Sequence, residues 1–104
     1  MISPKAAADR LKSNPAIVVI DVRTPEEMQS GFIQGAINLN YNSPAFEKSL
    51  GNLDQSKTYL LYCASGKRSG NAHKMMREKG FDNILSIEGG LDAWEAARLP
   101  VVRR

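Results

Sequence analysis

Apolar residues fall into two kinds of block that alternate along the chain. Compact runs rich in Val, Ile, Leu and Tyr, at 16–21, 36–39, 58–62 and 83–87, read as strands. The run at 16–21 has almost no interleaved polar position, the signature of a strand buried on both faces. Between the runs lie amphipathic stretches with helix punctuation. Ser3-Pro4 opens a helix through Leu11, Thr24-Pro25-Glu26-Glu27 opens one that stops at Gly31, and Ser43-Pro44 opens one ending near Gly51. A helix over 69–79, with Ala72, Met75 and Met76 on one side, is closed by Gly80, and a last helix covers 91–97. This alternation predicts an α/β domain with a largely parallel sheet flanked by helices. In such sheets, sites form beyond the carboxyl ends of strands. Asp21 and Cys63 occupy the ends of predicted strands and Gly89-Gly90 follows another, so three segments are expected to converge on one rim.

Composition narrows the picture. At 104 residues with 42% hydrophobic content, residues 1–104 are expected to form one domain, burying roughly 60 to 70% of the extended-chain surface. No apolar run approaches the ~18 residues of a membrane span, and the mixed polar start is unlike a signal peptide. A cytoplasmic protein with no membrane association is therefore expected. The net charge of +3 is too small to argue nucleic-acid binding, and Arg103-Arg104 is read as a solvated tail.

Cys63 is the only cysteine, which excludes an internal disulfide and a paired-cysteine zinc or redox site, so no metal is expected. It stands between the strand at 58–62 and a small cationic loop, Ala64-Ser65-Gly66-Lys67-Arg68, and the following sequence turns helical after Ser69. A thiol at such a junction faces backbone N–H groups and the positive end of a helix dipole, which favour thiolate. A lone cysteine is often only a small buried hydrophobe. The donors and cations around this one argue for a nucleophile.

Cys63-Ala64-Ser65-Gly66-Lys67-Arg68-Ser69 resembles the active-site loop of the rhodanese (sulfurtransferase) family, a C-x-x-G-x-R-S pattern. Asp21-Val22-Arg23 with Glu26-Glu27 resembles the family's D-V-R…E segment, and Gly31-Phe32-Ile33-Gln34-Gly35-Ala36-Ile37-Asn38 its G-H-I-x-G-A-x-N stretch. Gly80-Phe81, Glu88-Gly89-Gly90, Trp94 and Leu99-Pro100 resemble its closing signature. Phe32 stands where the family usually has histidine. The resemblance spans nearly the whole chain. It implies a five-stranded parallel sheet, no cofactor, and a Cys63 persulfide that takes sulfur from thiosulfate or a related donor and passes it to cyanide or a thiol.

Each neighbouring residue has an expected part in that chemistry. Loop N–H groups from Ala64 to Ser69 would cradle the persulfide, and Lys67 and Arg68 would bind the donor's anionic end. Ser69 would cap the next helix. Asp21 would support the loop by accepting hydrogen bonds, Arg23 would pair with Glu26 or Glu27, and Trp94 would be a core aromatic. His73, ten positions after Cys63, is expected to lie too far up the helix for a Cys–His dyad.

Two rival readings share these residues. Cysteine-loop phosphatases and arsenate reductases resemble C-x5-R, whereas four residues separate Cys63 from Arg68, which makes a smaller pocket. A persulfide-relay or interaction module serving a partner protein is the other alternative.

Overall fold

A computed structural model of the protein describes residues 1–103. Helix α1 (Pro4–Ser13) leads into β1 (Val18–Asp21), the short α2 (Pro25–Met28), β2 (Ile37–Asn38) and α3 (Phe46–Gly51). Then follow β3 (Tyr59–Tyr62), α4 (Lys67–Glu78), β4 (Ile84–Ser86) and α5 (Gly90–Ala96). The strands form one parallel sheet in the order β2-β1-β3-β4. The chain leaves β1 towards one edge and returns past it to reach β3, so the connections diverge between these two strands. That divergence opens a crevice at their carboxyl ends, where Asp21 pairs with Tyr62 and Cys63 comes next.

Alternation along the central strands divides the core into two layers. Ile20, Val22, Leu61 and Cys63 face Phe46, Leu50, Ala72, Met76 and Phe81 on the side covered by α3 and α4. Val19, Leu60 and Tyr62 face Ala7, Leu91 and Trp94 on the side covered by α1 and α5. Trp94 is the expected core aromatic, and its indole N–H donates to the Pro100 carbonyl at 2.9 Å.

Among the described residues four strands are formed rather than the five that the resemblance implied. What remains at the β4 edge is a single parallel bridge, Ile2 with Ile87. The Ile2 N–H reaches the Ser86 carbonyl, but Ser3 already caps α1 and Pro4 has no N–H to extend a ladder. Helix starts also differ from expectation. Serine 43 accepts from the Ala45 N–H in a turn, and α3 begins only at Phe46. Helix α2 ends at Met28, and separate turns carry the chain to Gly31. Arg103 is tethered by hydrogen bonds to the Ser30 carbonyl and Glu95, while Arg104 lies outside the described residues. Among the described residues, no helix is long and apolar enough to cross a membrane.

Candidate active site

β3 delivers Cys63 to the rim, and the chain then turns sharply through Gly66, whose φ of +102° is a left-handed value that favours glycine. This turn starts α4 at Lys67, two positions before the expected start. Ser69 is consequently not the cap. It occupies the third helical position, fully buried, with its hydroxyl 3.4 Å from Cys63 Sγ and 3.3 Å from the Gly66 carbonyl.

The sulfur is enclosed by donors. Cys63 Sγ accepts the Gly66 N–H at 3.0 Å and the Ser69 N–H at 3.4 Å, and the residue is 1% exposed. Burial pushes the thiol up, but the Ser69 hydroxyl and the N–H groups of Ser69, Gly66 and Ser65 together outweigh it and hold the thiol below its ordinary value. The loop thus stabilises a thiolate without a partnering base. Lys67 is exposed at the start of α4, and Ala64 is half-buried beside the sulfur-bearing residue.

A second backbone segment locks the loop from behind. At the start of α5, the Leu91 N–H donates to the Cys63 carbonyl at 2.8 Å and the Asp92 N–H to the Ala64 carbonyl at 3.0 Å. This approach requires glycine at position 90, where a Cβ would stand 2.5 Å from the Cys63 carbonyl oxygen and φ is +63°. The convergence of Gly89-Gly90 with the cysteine loop was readable from two glycines after a strand.

The charged residues are arranged differently from expectation. Arg23 pairs with Asp21 rather than with Glu26 or Glu27, because the chain bends at Arg23 just past β1 while Glu27 is engaged by Thr24 and Arg68. The Arg23 guanidinium also donates to the Gly31 carbonyl at 2.7 Å. Asp21, fully buried, accepts the Arg23 main-chain N–H at 2.9 Å. Its side-chain hydrogen bonds go to Arg23, and the Arg23 guanidinium carries the brace on to Gly31. Burial pushes the Tyr62 hydroxyl up, reinforced by Asp21 beside it, so it stays protonated and donates no charge to the rim.

Glu27 is free of Arg23 and instead takes Arg68, with Nη1 at 2.7 Å and Nη2 at 2.9 Å from its two carboxylate oxygens. Sequence reasoning missed this partnership, for which 41 residues of separation leave no local signal. His73 Nδ1 lies 2.6 Å from Ser86 Oγ, so the only histidine is engaged on β4, away from a dyad with Cys63. Burial, then Arg77 and the N-terminal amine, depress its basicity.

Residues 3–97 match the family model described as a rhodanese-like domain, and the chain belongs to that family. A protein of Synechocystis sp. is 38% identical over 98% of this chain, which spans 55% of that protein's length. The thiosulfate:glutathione sulfurtransferase of Saccharomyces cerevisiae is 35% identical over 80% of this chain and 68% of its own. The crystal structure of a rhodanese-related protein from Thermoplasma volcanium superposes with a TM-score of 0.88 at 31% identity, covering 99% of this chain and 97% of that one. Family and relatives together support sulfur transfer as the general chemistry.

Proposed function

We propose that the protein is a sulfurtransferase in which Cys63 carries the sulfur. The Cys63 thiolate attacks the outer sulfur of thiosulfate or a related donor, and a new S–S bond forms as the old one breaks. With thiosulfate, the bonding pair leaves on sulfite and Cys63 becomes an anionic persulfide. Cyanide then removes the terminal sulfur as thiocyanate, or a thiol removes it as a hydropersulfide, and the thiolate is regenerated. The acceptor thiol belongs to a small molecule or to a sulfur-carrying protein.

The observation that carries this reading is the ring of donors on Cys63 Sγ from Gly66 and Ser69. Preorganised N–H groups stabilise negative charge on the sulfur throughout the exchange, so proton transfer by histidine is not required. Thiosulfate treatment should add one sulfur atom to the intact mass, and cyanide should remove it. Cys63→Ser should fold normally and take up no sulfur. Normal turnover by that variant, or efficient hydrolysis of an aryl phosphate with no thiosulfate activity in the natural protein, would sink the proposal.

A further inference from the structure

The two cations beside Cys63 are not equivalent. Lys67 is exposed and makes no ion pair among the described residues. Arg68 has both ends of its guanidinium on Glu27, at 2.7 and 2.9 Å. Glu27 is itself held, because Oε1 also accepts the Thr24 N–H at 3.1 Å and the Thr24 hydroxyl at 3.2 Å. This pairing takes the Nη1/Nη2 edge of the fork, one of the edges on which it would grip a sulfonate, and sets a carboxylate charge against the cation. The Arg68 charge stays within electrostatic reach of Cys63 and so lies at the site, but it is neutralised there.

We infer that Glu27 is a positioning residue that sets donor specificity: by pairing with Arg68 it offsets that cation's charge at the site and leaves Lys67 as the exposed anchor. The site then favours donors with at most one negative charge, the hydropersulfides of small thiols, over a dianion such as thiosulfate. This rests on the sulfur-transfer reading above. With a hydropersulfide, the Cys63 thiolate bonds to the outer sulfur, the S–S bond breaks, and its electron pair leaves on the inner sulfur. The departing thiolate accepts the proton that the hydropersulfide carried, and no oxidant or reductant is needed. Thiosulfate instead releases a dianion, so a site suited to it would keep a second cation free throughout.

Glu27→Gln separates charge from structure, since glutamine at the third helical position still completes the box with Thr24. Saturation kinetics would be measured with thiosulfate and with the hydropersulfide of 2-mercaptoethanol, and Cys63 labelling followed by intact mass. Freeing Arg68 should lower KM for thiosulfate by about tenfold, the lower bound for a charge-assisted hydrogen bond. KM for the hydropersulfide should stay within about twofold. Adding Arg68→Gln to Glu27→Gln should abolish the thiosulfate gain. Equal effects of Glu27→Gln on both donors, or a thiosulfate gain that survives in the double variant, would overturn the inference while Cys63 labelling leaves sulfur transfer standing. Failure of both donors to label Cys63 in the natural protein would overturn both.

Discussion

Helices α2 and α4 are joined by one ion pair, Glu27 with Arg68, yet they begin in opposite ways. At α2 the Thr24 hydroxyl accepts the Glu27 N–H, and the Glu27 carboxylate accepts the Thr24 N–H in return. This start is closed, its donors satisfied by its own side chains. At α4 the cap is Gly66, which offers no side chain, and the N–H groups of Gly66 and Ser69 turn to Cys63 Sγ. This start is open, and the positive end of its dipole faces a sulfur. A capping serine or aspartate at position 66 would place an oxygen where the thiolate now accepts. The closed helix serves as an anchor and the open one as an anion holder, and the ion pair fixes the second by the first.

The strongest way to break this contrast is to displace the open start from behind. Gly90→Ala brings a Cβ to 2.5 Å from the Cys63 carbonyl oxygen and 2.7 Å from the Ala64 carbonyl, at a φ of +63°. Overpacking and left-handed strain together should cost about 3 kcal/mol, read as a lower urea midpoint, with sulfur transfer lost in the folded fraction. A midpoint equal to that of the natural protein would show that α5 does not hold the loop.

A smaller change acts on the donors themselves. Ser69→Ala keeps the main-chain N–H but removes the hydroxyl, the strongest of the contributions that pull the Cys63 thiol down against burial. Cys63 alkylation should therefore shift to higher pH. Persulfide formation at neutral pH should fall about tenfold, as for loss of one hydrogen bond to a charged group. An unmoved alkylation profile would leave the N–H groups as sufficient.

The smallest effect belongs to the closed start. The Arg68 hydrogen bonds, against partial burial and aided by the Thr24 N–H, lower the Glu27 carboxyl from 4.5 to about 2. The ionised form therefore stabilises the fold above about 4.5, and this contribution is lost as pH falls from there towards about 2. The pair is partly exposed and screened, so the loss should stay below about 1 kcal/mol. Thermal unfolding across that window should show a flatter acid limb in Glu27→Gln than in the natural protein. Identical limbs would mean that the ion pair adds nothing to stability.

Most of the molecule was legible wherever the deciding contacts are local. Ser3 caps α1 and the Thr24–Glu27 box starts α2 because a cap and its N–H partner lie three residues apart. The cysteine loop belongs to the same class, since Gly66 and Ser69 reach Sγ from three and six positions away. The α4 start was misplaced by two residues because Ser69 has a cap's chemistry, and only the turn at Gly66 shows that the helix has already begun.

The amino-acid sequence by itself determined the α/β alternation, the helix starts at Ser3 and Thr24, and a cysteine surrounded by short-range donors. Tertiary structure alone decided that the fifth strand shrinks to the Ile2–Ile87 bridge, that Arg23 turns to Asp21, and that Arg68 reaches Glu27 across 41 residues. It also placed the Gly90 backbone against the Cys63 carbonyl. The division follows from physics. Caps and loops depend on a few backbone dihedrals between near neighbours. Which distant charge an arginine meets depends on strand order and on the packing of two helices over one sheet.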